Sequence, residues 1–186
     1  MLRMIRPPAL PGHMDVVQST SDVTEWSTYF APDDDIHAVL LAALQAAPDG
    51  AICTSSQFGF TDTDIAAEFA RLATNPLSRY LFDKSQEAGV HERPVVQALV
   101  KQLKPEQWAI GTSKKASQIL HTKAVVLTYP SGPGWTMTGS FNLSASAQNQ
   151  FNIVDVIISP SRAALFRQMI ESMFGWVKTH QPNNQP

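Results

Sequence analysis

Apolar positions along this chain change their period from one stretch to the next, and each period predicts an element. Ile36, Val39, Leu40, Leu41 and Leu44 recur at three- and four-residue spacing, which describes a helix with one buried side. Asp33, Asp34 and Asp35 stand just before it, so the acidic triplet reads as an N-terminal cap favoured by the helix dipole rather than as a metal site. Pro48-Asp49-Gly50 stops that helix, and Ala51 to Phe58 predicts a strand. A second helix is capped by Asp62 or Thr63 and runs to about Ala73, where Asn75-Pro76 breaks it. Arg79 to Phe82 then predicts a strand, Pro94 to Leu103 a helix, and Trp108 to Ile110 a short strand. Three more strands are predicted at His121 to Leu127, Trp135 to Thr138 and Ile153 to Ile158, before a closing helix from Arg162 to Trp176.

Strands alternating with helices argue for an α/β layered domain with a mixed β-sheet flanked by helices. Residues 1–28 read as an extended lead-in, with Pro7, Pro8 and Pro11 at the front and Ser19, Thr20 and Ser21 behind them. The folded domain is expected over 29–178, and the polar tail over 179–186 is expected to be disordered. No internal repeat is visible.

Composition narrows the class. At 186 residues, 44% hydrophobic and 16% charged, the chain is long and apolar enough to bury the core of one globular domain. A net charge of -2 gives no general attraction for nucleic acid, which leaves only local basic patches such as Lys114-Lys115. Cys53 is the one cysteine, so no intrachain disulfide and no thiolate-rich metal site can form, and it reads as a small core residue. Residues 1 to 14 carry no apolar stretch long enough for a secretory signal, and no window approaches a transmembrane segment. A cytoplasmic location is the expectation.

Five residues carry the chemistry. His121 and Lys123 are two apart at the head of an apolar β-branched run, and in a strand that spacing points an imidazole and an ammonium the same way. Neither belongs there for packing alone. The next run ends in Gly139-Ser140-Phe141-Asn142, where a glycine lets the backbone come close to a ligand and Ser140 and Asn142 can share a side. Together they would set a nucleophile among groups that hold an anion. His13, His37, His91 and His180 have no such neighbours and read as surface or packing residues. Phe58, Phe60 and Phe141 read as core or interface aromatics, and Thr61-Asp62 as a helix cap.

His121-x-Lys123 followed by Gly139-Ser140-x-Asn142 resembles the signature of the phospholipase D superfamily. Tyr29 to Asp34, Gln57 to Asp62 and Leu81 to Gln86 resemble segments of its small bacterial, single-motif members, so the likeness spans roughly residues 29 to 175. It implies a metal-independent phosphodiesterase that needs no cofactor, works as a homodimer, and forms a phosphohistidine while hydrolysing nucleic acid or another phosphodiester. On that likeness His121, Lys123 and Asn142 are catalytic, while Ser140 and Gly139 support the phosphate. Lipid phosphodiesterase or transferase activity, or a phosphate-binding scaffold without activity, are the alternatives. Small relatives are often exported, so export stays open. Two positions depart from the pattern: Thr128 stands where the motif has an aspartate, and Phe151 where a glutamate is expected to orient the histidine. The loop from Tyr129 to Gly134 also lengthens the spacer between the two halves of the motif.

Overall fold

The computed structural model describes residues 22–87, 89–114 and 118–181. Its strands are β1 (Glu25–Ala31), β2 (Ile52–Gln57), β3 (Arg79–Asp83), β4 (Trp108–Gly111), β5 (Lys123–Thr128), β6 (Trp135–Gly139) and β7 (Asn152–Ile158). They form one sheet in the order β1-β7-β6-β5-β2-β3-β4. β3 runs parallel to both its neighbours, β2 and β4, which requires helical crossovers, and α2 (Thr63–Leu72) and α3 (Glu92–Val100) supply them. Every other pairing is antiparallel. The sheet is therefore mixed, as the alternation of elements predicts.

The central strands are apolar on both sides because both sides are covered. Val125 and Leu127 of β5 join the main core, beneath α1 (Ile36–Ala46), α2 and α3. Ala124 and Val126 pack instead on Ala163 and Ile170 of α4 (Pro160–His180). Full burial of each such aliphatic side chain is worth about 1.5–3 kcal/mol. Cys53 lies in the main core, and burial pushes its thiol up to about 12.

Helix starts follow the polar signals. The Asp35 carboxylate accepts from Ala38 N at 2.9 Å, and Asp34 accepts from Phe30 N at 2.8 Å, so two of the three aspartates tie β1 to α1. Asp62 accepts from Asp64 N and Ile65 N and closes α2. Ser159 caps α4, and Asp22 reaches back to the hydroxyls of Ser159 and Ser161.

Several boundaries differ from those the sequence predicts. β1 occupies Glu25–Ala31, partly within the expected lead-in, because antiparallel pairing with β7 orders a stretch whose own pattern is weak. β5 begins at Lys123, so His121 lies in the loop before it. α3 begins two residues before Pro94, which fits within a first turn where no donor is needed, and ends at Val100 rather than Leu103. α4 runs on to His180. Residues 1–21 and 182–186 lie outside the described residues.

Register fixes what gathers at one end of the sheet. Gln57 pairs with Lys123, Ala124 with Thr138, Gly139 with Val154, and Asn152 with Ala31. The last residues of β1, β2, β3 and β6 and the first of β5 and β7 therefore share one rim.

Candidate active site

His121 stands at that rim between two anchored neighbours. The Leu120 amide donates to the buried Asp83 carboxylate, whose other oxygen accepts from Ser85 N at 2.9 Å. Leu120 itself is sunk among Leu81, Phe174 and Val177. On the other side the Thr122 hydroxyl shares a short hydrogen bond with Ser56. The imidazole between them is exposed and meets Phe58 edge-on, with ring centroids 4.8 Å apart. Among the described residues its ring nitrogens have no hydrogen-bonding partner, and Phe151, in place of the expected carboxylate, is 97% exposed.

Lys123 is the opposite case. Only 7% of it is exposed, and burial pulls its pKa below the ordinary lysine value. Its ammonium donates to the His121 carbonyl at 3.3 Å and lies 5.1 Å from the centre of the Phe58 ring. Its cross-strand partner Gln57 is buried too. The Gln57 amide nitrogen is held by Ser55 Oγ and Ala124 O, while its oxygen has no partner among the described residues.

Asn142 stands against Gly59, the residue after Phe58. Its Oδ1 is likewise without a described partner, and it lies so close to Gly59 that a Cβ there would come within 3.1–3.2 Å of it. Backbone bonds from Leu143 N to Gly59 O and from Thr61 N to Leu143 O lock the two loops together. Phe58, Gly59, Ser85, His91 and Asn142 line an open cleft of about 670 Å³.

Two expected residues are engaged with β7. A Cβ on Gly139 would sit 2.1 Å from the Ile153 carbonyl oxygen, so the glycine lets strand β7 approach. Ser140 Oγ donates to Asn152 Oδ1 at 2.9 Å and accepts from Ile153 N at 3.0 Å, which ties β6 to β7. The structure thus places His121 and Lys123 against Phe58 and Asn142 against the next residue, Gly59, with Gly139 and Ser140 in the neighbouring seam. Thr128 lies at the far end of β5, roughly 17 Å from Lys123 at the rise of an extended strand, where Arg167 reaches its hydroxyl at 3.5 Å.

Sequence reasoning missed Asp83, Gln57 and the part played by Phe58. A carboxylate ending the apolar run Tyr80-Leu81-Phe82 was the available signal for Asp83. Phe58, expected in a core or interface, is half-buried against the imidazole and ammonium, whereas Phe60 and Phe141 are core residues. Of the other histidines, His37 pairs with Asp62 at 2.9 Å, His180 stacks on Trp176, and His91 lines the cleft. His13 and Lys115 lie outside the described residues.

No family model and no curated protein matches the sequence. Solved structures do. A phospholipase D family member, NUC from Salmonella typhimurium, superposes with a TM-score of 0.66 at 15% identity, over 81% of this chain and 94% of that one. NucT from Helicobacter pylori gives 0.64 at 15% identity, over 81% and 96%. Polyphosphate kinase from Porphyromonas gingivalis gives 0.57 at 10% identity, over 80% of this chain and 26% of that one. The chain has the phospholipase D-like fold. No helix among the described residues is long and apolar enough to cross a membrane.

Proposed function

We propose that this protein is a metal-independent phosphodiesterase that hydrolyses nucleic-acid phosphodiester bonds through a phosphohistidine on His121. The observation that carries the reading is an exposed imidazole, pinned on both sides, beside a desolvated ammonium on the fold of NUC and NucT. A ring nitrogen of His121 attacks phosphorus, a P–N bond forms, and the P–O bond to the leaving group breaks. Lys123 and Asn142 hold the non-bridging oxygens as charge builds on them. The leaving oxygen takes a proton from a second imidazole, which then receives one from the water that resolves the intermediate.

One His121 cannot be neutral nucleophile and protonated acid at once. We place the second in another copy of the chain, related by a twofold axis. Phe151 and the imidazole without a carboxylate partner favour one rival, a phosphate-binding module with little or no turnover.

Cleavage of single- or double-stranded DNA in EDTA, abolished by His121→Ala and Lys123→Ala, is the expected result. Acid-labile, alkali-stable label on the wild type, absent from His121→Ala, would mark the phosphohistidine. Intact DNA after long incubation with wild-type dimer would favour the scaffold. Headgroup release from vesicles with DNA uncut would identify a lipid enzyme.

A further inference from the structure

The Gln57 side chain is pinned at one end and unpaired at the other. It closes β2, and only 1% of the residue is exposed. Its amide nitrogen donates to Ala124 O at 3.0 Å and to Ser55 Oγ at 2.9 Å. A backbone carbonyl can only accept, so the first of these bonds fixes which end of the amide is nitrogen. The oxygen at the other end is shut off from solvent and has no hydrogen-bonding partner among the described residues. An acceptor so buried and so oriented is uncommon, because nearly all buried polar groups are paired.

Register says what stands opposite. Gln57 pairs with Lys123 across β2 and β5, and cross-strand partners project to the same side of a sheet. That is the main-core side, where Val125 of β5 is packed. Gln57 and Lys123 line one narrow space with Thr138, Gly139 and Phe141, too small to admit a water molecule. A donor for the oxygen must therefore come from a side chain. Of those around the space, Lys123 and Thr138 carry polar hydrogens, and the Thr138 hydroxyl is committed to the Lys123 carbonyl at 3.3 Å. The ammonium is the donor that remains. It carries three N–H groups. One donates to the His121 carbonyl at 3.3 Å, longer than usual, and Phe58 offers the head a ring face 5.1 Å away.

We propose that Gln57 is a positioning residue for Lys123, whose amide oxygen takes one N–H of the ammonium when a phosphoryl oxygen takes another. The inference rests on the reading that an anion is held beside His121. In the free protein the ammonium leans on the Phe58 ring, which the imidazole meets edge-on at 4.8 Å. An oxyanion that reaches the imidazole arrives beside that ring and draws the ammonium off its face. The His121 carbonyl, the phosphoryl oxygen and Gln57 then offer one acceptor to each N–H. Gln57 touches no substrate in this arrangement. Its oxygen is unpaired in the free protein and paired in the complex, so the new bond adds to anion affinity.

Gln57→Leu keeps an apolar stem and removes the oxygen, and inorganic phosphate is the probe. Titration calorimetry on the full chain should show the dissociation constant rising about 10- to 100-fold, the worth of one hydrogen bond to a charged group. Gln57→Met, a second side chain without the oxygen, should behave alike, and circular dichroism checks that each variant folds. The nitrogen NMR resonance of Lys123 Nζ should shift on phosphate addition in wild type and by much less in Gln57→Leu. Ser55→Ala removes one hold on the amide nitrogen and leaves the oxygen in place, so phosphate affinity should change by less than about twofold. Unchanged affinity in Gln57→Leu and Gln57→Met would overturn the inference and leave the hydrolytic reading standing. An equal loss in Ser55→Ala would also overturn it, by making the whole amide a structural tie. A wild type whose phosphate binding Gln57→Leu weakens, but which cleaves no phosphodiester, would uphold the inference and overturn the hydrolytic reading. A wild type that binds no phosphate would overturn both.

Discussion

Gly139→Ala tests whether the glycine of the motif serves the ligand or the sheet. The new methyl would stand 2.1 Å from the Ile153 carbonyl oxygen and 2.7 Å from Val154 Cα, and both are backbone atoms that cannot swing aside. Strand β7 must withdraw at its start by more than 1 Å. Three bonds across that seam then stretch or break: Ser140 N to Ile153 O at 2.9 Å, Ile153 N to Ser140 Oγ at 3.0 Å, and Ser140 Oγ to Asn152 at 2.9 Å. At about 1 kcal/mol each, with about 1–3 kcal/mol of overpacking, the variant should lose about 4–6 kcal/mol. For a chain of this length that lowers the melting temperature by about 10–20 °C. Thermal and urea unfolding followed by circular dichroism measure it, with the urea slope unchanged. A loss below about 1 kcal/mol, accompanied by lost phosphate binding, would refute the reasoning and return the glycine to the ligand.

Asp83→Asn should cost about 2 kcal/mol, because one of the Leu120 and Ser85 amides then faces a donor. The loosened His121 loop should lower turnover by about 10- to 100-fold while substrate binding holds, which separate kcat and KM values would reveal. Lys123→Met should abolish phosphate binding yet raise stability near neutral pH, since the folded state no longer hides an ammonium. Burial lowers the folded pKa of Lys123, so between that value and 10.5 the unfolded chain binds more protons and wild-type stability rises with pH. The advantage of the methionine variant should accordingly shrink toward pH 10.5 in denaturant titrations. Thr128→Asp should add at most about 1 kcal/mol through Arg167 and leave activity unchanged, being at the other end of β5. A large gain in turnover would contradict that separation.

Most of the sheet was legible because its strands and helices alternate with distinct periods. β1 was not, since Glu25–Ala31 becomes a strand by pairing with β7, a partner over 120 residues away, as Tyr29 facing Val154 illustrates. Lys123 and Asn142 could be picked out as polar residues beside apolar runs, but what surrounds them could not. Phe58 reaches His121 only because Gln57 and Lys123 are register partners, and Asp83 reaches Leu120 only because β3 lies beside β2. Gly139 and Ser140 show the limit of reading role from type. Their chemistry suits a ligand, yet the atoms nearest them belong to β7.

The burial of Lys123 and the exposure of His121 make sense as a division of labour. An ammonium removed from water interacts strongly with whatever anion arrives, but it weakens the fold until then, and it is tolerated because its stem packs on the rim and its head finds Phe58 and the His121 carbonyl. A nucleophile needs the reverse: freedom to meet phosphorus, with its direction fixed from behind. Asp83 and Ser56 supply that direction through Leu120 and Thr122 without touching the ring. Orientation by the backbone does not fix which ring nitrogen carries the proton, a task for which the expected glutamate position offers only the apolar side chain of Phe151.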